Sequence, residues 1–350
     1  MAWQMIASKH SKAIKCMNQL NNAFTLFLSL LVEAIPFLLL GVLFSGVLLL
    51  FVDERWLIAK LPKNPLLGAL VGSMVGFLFP VCECGNVPVA RRLLMQSVPA
   101  PVAIGFLLAA PTINPIAIWA TWIAFRDQPE IVLLRVVFSL AIATIIGCVF
   151  SADADLRPLL QPAVAASWTN TKQSESKPKL LQSGTYWLAQ PGKPMGIDAT
   201  VLQAKIASTN ASKPLAYRMG LLLDNTVQEL RELGCVLVIG SAIAAAIQVL
   251  FPRDLILSLG GGEITSILTM MLLAGLVSIC STVDSFFALS FASTFTTGSI
   301  LAFLVFGPMF DLKGIGLLLS IFKSRAVIYL FALAAQLTFL FTLFINLHVI

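Results

Sequence analysis

The sequence has few histidines and few charged residues, and both shortages exclude common kinds of protein. Only two histidines occur, His10 and His348, one near each terminus. We therefore expect neither a histidine-based zinc site nor a Ser-His-Asp triad within the apolar part of the chain. Charged residues make up 11% of the 350 residues and hydrophobic ones 58%, whereas a soluble domain carries about 25% charged residues. Such a chain cannot cover itself against water and is expected in a bilayer.

Other absences limit its chemistry. No G-x-x-x-x-G-K-[ST] motif occurs, so an ion gradient or a separate subunit must supply energy for any transport. The six cysteines lie in or beside apolar segments, unlike a secreted disulfide framework. The net charge of +6 comes from basic residues in loops and tails. This placement favours an anionic membrane face over nucleic acid as the partner.

Long apolar runs dominate the chain, and a membrane-spanning helix needs about 20 apolar residues. We predict an all-α integral membrane protein with about eight transmembrane helices, in two homologous four-helix halves with broken helices at the centre. The predicted domains are a basic cytoplasmic tail (1–22), a first membrane repeat (23–150), a polar, partly disordered linker (151–220) with a short helix near 197–207, and a second membrane repeat (221–350). The apolar runs are 23–52, 66–81, 99–125, 130–150, 233–251, 264–281, 297–322 and 326–347.

The two halves can be aligned at an offset of about 198 residues. The segment "VEAIPFLLLGVLFSG" aligns with "RELGCVLVIGSAIAA", "GFLFPVCECGN" with "GLVSICSTVD", and "APTIN" with "GPMFD". The alignment places Cys82 on Cys280, and Asn114 on Asp311. It predicts a duplicated bundle, the construction of many transporters whose substrate site lies between the halves on interrupted helices. The sequence leaves open whether the repeats are parallel or inverted.

Orientation follows from lysine and arginine near the apolar runs. Lys9, Lys12 and Lys15 precede the first run, and Lys205 and Arg218 precede the fifth. Both groups favour the cytoplasm. We predict a multi-pass protein of the cell's inner (plasma) membrane with a cytoplasmic N-terminus.

Polar breaks interrupt the apolar runs at matching places in both halves. In "PVCECGNVP", Pro80 and Pro88 flank a Gly85–Asn86 pair that is typical of turns, so we predict that this stretch is not helical. The counterpart "CSTVDS" is polar, and a second pair of breaks, "APTINP" and "GPMFD", follows in each half. Irregular backbone at membrane depth is tolerated only inside protein or beside water. We therefore predict that the four breaks meet in a central polar chamber, the alternative being turns at the membrane interface.

These motifs as a set, C-x-C-G followed by "PTINP", then S-x-x-D followed by GPM-x-D, resemble the ArsP-type family of predicted permeases. The resemblance covers both membrane halves. It implies a polytopic inner-membrane permease of about eight helices, and some members of that family export trivalent organoarsenicals. Carried over, it places at the transport pathway the motif residues Cys82, Cys84, Gly85, Asn86, Pro111, Asn114, Asp284, Pro308 and Asp311.

Several single residues have more than one interpretation. Glu33, inside the first apolar run, is a coupling proton site or an ion-pair partner of Arg91 or Arg135. Arg91 could also neutralise an anionic solute. Thiolates suit trivalent arsenic or other soft ions, so Cys82, Cys84 and Cys280 are candidate metal or metalloid ligands. Plain turn residues and thiol–disulfide chemistry are the alternatives.

We therefore predict a permease, not an enzyme, that moves a small-molecule or metalloid solute by alternating access and has no resident cofactor. A membrane redox protein that uses the three cysteines and a membrane subunit of a larger complex are the alternatives. A homo-oligomer or an accessory subunit also stays open. The predicted solute-binding residues are Cys82, Glu83, Cys84, Gly85, Asn86, Arg91, Pro111, Thr112, Asn114, Cys280, Ser281, Thr282, Asp284, Pro308 and Asp311, with Glu33 as the coupling candidate.

Overall fold

The computed structural model of the chain is helical throughout the part that it describes. It describes residues 2–51, 61–79 without 63, 82–152 without 97, 157–165 without 163, 215–250 and 262–348. Within these residues the only pairing of strand type is an isolated bridge between Leu160 and Phe322. The prediction of an all-α protein is confirmed.

The first group of helices precedes residues 166–214, which lie outside the described residues. It begins with a long helix and continues with shorter ones, most of which begin at a proline or after an asparagine. In chain order these are α1 (Ala2–Phe51), α2 (Pro65–Leu78), α3 (Glu83–Met95), α4 (Ala100–Ile113), α5 (Pro115–Ala124) and α6 (Pro129–Ala152).

The second group follows that segment and again begins with a long helix. Its members are α7 (Leu215–Leu250), α8 (Glu263–Val277), α9 (Asp284–Leu289), α10 (Thr297–Met309), α11 (Leu312–Leu318) and α12 (Ser324–His348). A 3-10 turn at Arg157–Leu159 lies between the two groups.

Six helical segments are long and apolar enough to cross a membrane, and two shorter apolar helices accompany them among the described residues. The short ones are α2 and α8. Each of the eight predicted apolar runs is largely helical among the described residues. Two runs contain two helices each: α4 and α5 form one run, and α10 and α11 form another. The helices therefore fall where hydropathy predicts them.

The centre of the bundle is built from α4 and α10. Every residue of α4 is buried, and α10 is buried along nearly its whole length. Helix α4 packs against α2, α6 and α10, and α10 packs against α8 and α12. The two groups also cross over, because α3 packs against α11 and α5 against α9. Helices α1 and α7 pack against each other and carry many exposed apolar residues.

Glycines set the closest helix contacts. Gly68, Gly72 and Gly76 recur every fourth residue along α2, and a Cβ at Gly72 would overlap the carbonyl oxygen of Val102 on α4. Small residues at this spacing let two helix backbones approach closely. The tight pairing of α2 with α4 follows from these residues.

The predicted break at residues 80–88 is largely wrong. Cys82 is the N-cap, and a helix runs from Glu83 through Gly85, Asn86 and Pro88 to Met95. Proline is tolerated inside membrane helices because neighbouring helices and side chains provide hydrogen bonds for the backbone groups that it leaves without a partner. Gly85 lies inside this helix and is not a turn residue. A Cβ on Gly41 of α1 would overlap the backbone of Gly85, so the glycine at position 41 permits close packing of α1 on α3.

The other breaks lie where they are expected. Asn114 ends α4 and caps α5, and Asp311 follows α10 and caps α11, in each case with the side-chain oxygen accepting a backbone N–H. Pro111 and Pro308 lie inside the preceding helices, near their ends. The polar stretch after α8 is a turn that leads into α9.

The boundaries of the predicted tail and linker differ from the helix boundaries. The basic segment 1–22 is helical from Ala2 onward and continuous with the first span, and α7 begins at Leu215, inside the predicted linker. The short helix predicted near 197–207 lies outside the described residues. The division into two membrane repeats stays a prediction.

Candidate solute-binding site

Two cysteines and a glutamate meet where the two helix groups touch. Cys82 caps α3, Glu83 is its first residue, and Cys280 lies in the turn before α9. One ligand atom of each of these residues lies within 4.8 Å of the other two. All three are buried, with exposures of 2–6%. We call Cys82, Glu83 and Cys280 the cysteine–glutamate cluster.

The third candidate cysteine is adjacent to this cluster. Cys84 is 1% exposed, and its side chain interacts with that of Cys82. It is not one of the three residues whose ligand atoms lie mutually within 4.8 Å. Of the three predicted ligand cysteines, Cys82 and Cys280 therefore belong to the cluster, and Cys84 lies beside it. All three are free thiols.

A buried lysine faces the cluster from the second helix group. Lys313, at the start of α11, is 1% exposed. Its Nζ lies 3.7 Å from Glu83 Oε1 and 3.9 Å from Asp311 Oδ2. Asp311 uses its other oxygen to cap α11, accepting the backbone N–H of Gly314 at 2.6 Å. Two carboxylates and one ammonium thus lie together in the protein interior.

Several buried oxygens at this place have no hydrogen-bond partner among the described residues. They include Glu83 Oε2, Asp311 Oδ2 and the hydroxyl of Ser281, the residue after Cys280. A buried oxygen that lacks a partner is costly. The donor set of two thiols and a carboxylate can hold a soft cation or a trivalent metalloid, because sulfur ligands prefer such species.

A second buried ion pair joins the helix groups at α9. Arg135 on α6, fully buried, lies 2.9 Å from Asp284 through Nη2, and its Nη1 donates to Thr121 and Ser285. Asp284 is therefore paired and not free to line a chamber. The hydroxyls of Thr121 and Ser285 also contact the guanidinium, so the pair joins α5, α6 and α9.

Arg91 lies at the far end of α3 from the cluster. Helix geometry puts it about 12 Å along the axis from Glu83. Its Nη1 lies 3.2 Å from Glu232 on α7, and that glutamate side chain is 42% exposed. Glu229, which accepts from Ser45 at 3.3 Å, lies within electrostatic range of Arg91. The arginine thus joins α3 to α7.

Glu33 has neither of the partners proposed for it. Arg91 pairs with Glu232 and Arg135 with Asp284. Glu33 is half-buried on α1 and lies within electrostatic range of Cys280 and Lys313. The interpretation of Glu33 as a partner of Arg91 or Arg135 is wrong, and its coupling role stays a prediction.

The remaining predicted site residues divide between the cluster's neighbourhood and local structure. Thr282 donates weakly to Cys280 Sγ at 3.7 Å. Asn86 donates to the carbonyl of Leu107 on α4, within the first group. Thr112 donates to the carbonyl of Ala109 at 2.8 Å.

In the segment "APTINP", Asn114 bonds to its own neighbours. It donates to the carbonyl of Pro111 at 3.2 Å and accepts from Ala117 N at 2.7 Å. Of the four segments predicted as breaks, the other three contribute residues at or beside the cluster: Cys82, Cys280 and Asp311.

Sequence reasoning missed Lys313 and did not assign Arg135 its partner. Lysine in an apolar helix is a signal in itself, since a buried charge needs a partner. The stretch "DLKG" places Lys313 two residues after the cap Asp311, inside an otherwise apolar run. That signal marks the lysine but not its contact with Glu83, which comes from the other helix group.

Comparison with known proteins agrees with this architecture. The model of the ArsP_1 family of predicted permeases matches residues 19–347. The chain belongs to this family. The permease is 38% identical over 312 residues to the UPF0718 protein YcgR of Bacillus subtilis strain 168, covering 89% of this chain and 92% of that protein.

A second relative comes from Streptococcus mutans serotype c. It is named "Putative two-component membrane permease complex subunit" and is 31% identical over 303 residues, covering 87% of the permease and 88% of the relative. No solved structure matches the chain. The comparisons therefore support a membrane permease.

Proposed function

We propose that the protein is an inner-membrane permease that moves a small, soft solute, such as a trivalent (organo)arsenical or another thiophilic species, through the cysteine–glutamate cluster. The observation that carries the proposal is the proximity of Cys82, Glu83 and Cys280, whose ligand atoms lie within 4.8 Å of one another. All three residues are buried, and sulfur ligands select soft ions and metalloids.

The position of the cluster suits alternating access. Cys82 and Glu83 belong to the first helix group and Cys280 to the second. A solute bound by all three would therefore join the two groups, and movement of one group against the other would open the site to one membrane face at a time.

The reciprocal crossing of the helices supports an internal repeat. Helix α3 packs on α11, and α9, its counterpart in the sequence alignment, packs on α5, the counterpart of α11. A duplicated chain with a two-fold relation between its halves would produce such paired contacts. The repeat is accordingly part of the proposal.

Substitution of the cluster cysteines tests this function. The Cys82→Ser/Cys280→Ser double variant is expected to lose binding of Cd²⁺ and of methylarsenite to the purified protein, and to lose transport of the bound species into vesicles. Serine is close to cysteine in shape but replaces the soft sulfur ligand by a hard oxygen. Cys148→Ser/Cys235→Ser is the matched control, because these cysteines lie on α6 and α7 and Cys235 is exposed. Unchanged binding and transport in the cluster variant would refute the proposal.

The same cysteines allow a check on the redox alternative. Two neighbouring thiols could form a disulfide, and a disulfide that is reversibly reduced and reoxidised would let the protein carry electrons. Maleimide trapping in growing cells followed by mass spectrometry should find Cys82 and Cys280 reduced and without a redox-dependent disulfide. A disulfide that changes with growth conditions would favour thiol–disulfide chemistry over transport.

An accessory subunit is the proposed partner. The streptococcal relative is named as part of a two-component complex, and the present chain contains no nucleotide-binding P-loop. Solute binding can be measured on the purified chain alone. Transport into vesicles needs the partner as well, if the partner supplies the energy. Binding without transport would therefore support a separate energising subunit.

A further inference from the structure

Lys313 occupies an unusual position between two acids. Its ammonium is 3.7 Å from Glu83 Oε1 and 3.9 Å from Asp311 Oδ2. A charge-assisted hydrogen bond has an N···O distance of about 2.7–2.9 Å, so the ammonium is tightly bound to neither. The nearly equal distances give the side chain two acceptors that a small rotation can exchange.

The other buried ion pair differs in this respect. Arg135 approaches Asp284 to 2.9 Å and also donates to the hydroxyl of Thr121 at 2.8 Å. That pair is built as a fixed contact. Lys313, by contrast, faces two carboxylates that each retain an oxygen with no hydrogen-bond partner among the described residues, Glu83 Oε2 and Asp311 Oδ2.

We propose that Lys313 is a resident cation of the solute site: its ammonium balances Glu83 while the site is empty and transfers to Asp311 when a cationic solute takes Glu83. The inference rests on the proposed function and adds the charge class of the solute. It identifies Lys313 as a positioning residue that competes with the solute for one carboxylate.

The charges favour a cation over a neutral solute. Two carboxyl groups, Glu83 and Asp311, share the single ammonium of Lys313, and half-buried Glu33 lies within electrostatic range of that lysine. Two carboxyl groups that face one ammonium leave a place for a second cation, because an opposite charge within about 4–6 Å favours the ionised form of a carboxyl group. A soft divalent cation would then bind through both cysteines and Glu83.

The exchange would also link solute binding to the contact between the helix groups. Glu83 begins α3 and Lys313 begins α11, so their contact joins the two groups. Asp311 lies on the same segment as Lys313 and is held by its cap bond to Gly314 N. Transfer of the ammonium to Asp311 would replace a contact between the groups by one within the second group, so the bound solute would take over from Lys313 as the link between Glu83 and the second group.

Two variants with opposite expected effects test the exchange, with Cd²⁺ as the probe and its equilibrium binding to the purified protein as the readout. Asp311→Asn keeps the α11 cap but leaves Glu83 as the only carboxylate near the ammonium of Lys313. Cd²⁺ then has to compete with that ammonium for Glu83, so Cd²⁺ should bind about tenfold more weakly. The Asp311→Asn/Lys313→Met double variant removes the competing ammonium without changing the net charge of the three groups. It should bind Cd²⁺ about tenfold more tightly than the parent.

Two controls at exposed positions separate these effects from a general change of charge. Glu130→Gln removes one negative charge, as Asp311→Asn does, and Arg126→Gln/Asp127→Asn removes one charge of each sign, as the double variant does. Both controls should leave Cd²⁺ affinity unchanged. Vesicle transport should fall in the tightly binding double variant, because a solute held without competition is released slowly.

The outcomes distinguish the two proposals. Suppose that the parent binds Cd²⁺ and that Cys82→Ser/Cys280→Ser abolishes this binding, so that the cluster is the binding site. The exchange is then refuted if Asp311→Asn binds Cd²⁺ as tightly as the parent does. It is also refuted if Asp311→Asn/Lys313→Met binds Cd²⁺ no more tightly than the parent. If the parent does not bind Cd²⁺ but binds methylarsenite, the solute is not a cation and the exchange is refuted. If it binds neither, both proposals are refuted. Should the double variant fail to fold, the single Asp311→Asn result decides alone.

Discussion

The guanidinium of Arg135 on α6 donates to both carboxylate oxygens of Asp284 at the start of α9, at 3.3 and 2.9 Å. The two residues are 149 positions apart in the chain, and the pair joins the first helix group to the second. Removal of one partner from a buried ion pair leaves a charge without compensation and costs about 3–5 kcal/mol. The pair is therefore expected to support folding more than solute binding.

Either Arg135→Met or Asp284→Asn should reduce folded protein in the membrane, measured as monodisperse protein on size-exclusion chromatography after detergent extraction. The double variant should recover part of the loss, because it leaves no charge alone. The exposed pair Arg126→Gln/Asp127→Asn is the control and should behave as the parent. Full folding of both single variants would show that the contact does not stabilise the bundle.

Close packing of α1 on α3 gives a prediction about glycine. Gly41→Ala would overlap the backbone of Gly85, and overpacking of this kind costs about 1–3 kcal/mol. The thermal midpoint of the purified protein should fall. Cd²⁺ affinity should also fall, since α3 carries Cys82 and Glu83.

The matched control for Gly41 is Gly234→Ala on α7, where a Cβ would meet nothing within 4 Å. Alanine is favoured over glycine in a helix by up to about 1 kcal/mol, so this variant should be equally or more stable than the parent. A similar loss of stability in both would assign the effect to something other than helix contact.

Asn114 provides a test of whether a motif residue touches the solute or only caps a helix. Its Oδ1 accepts from Ala117 N at 2.7 Å, and loss of such a cap costs about 1 kcal/mol. Asn114→Ala should lower the thermal midpoint, whereas Asn114→Ser should restore it because serine also caps. If the cap is the whole role, Asn114→Ser transports as the parent does. A serine variant that is stable but inactive would place Asn114 in the pathway.

Glu33 should affect the cluster through its charge. Glu33→Gln removes a negative charge near Lys313 and Cys280, so Cd²⁺ should bind a few-fold more weakly, an effect of about 1 kcal/mol or less. Folding should be retained because Glu33 is only half-buried. Glu130→Gln, at the exposed start of α6, is the control. Equal Cd²⁺ affinity in both variants would exclude Glu33 from the site.

Local sequence signals predicted much of the helical structure. Hydropathy placed the apolar helices, and the asparagine and aspartate at the second breaks cap α5 and α11 as polar residues between apolar runs often do. The same local reasoning failed at residues 83–88, where proline and a Gly–Asn pair indicate a turn. Packing of α1 against Gly85 and the burial of α3 outweigh those preferences.

Composition and the long apolar runs by themselves determined that this chain is an all-α membrane protein, because a single apolar segment in lipid can satisfy all its backbone hydrogen bonds internally only as a helix. They also selected the cysteines and acids as candidates for chemistry. Which candidates meet was decided only by the tertiary structure. Cys82 lies against Cys280, and Glu83 against Lys313. The physical reason is that such contacts depend on how the two helix groups cross, and that crossing is set by the summed packing of many apolar residues.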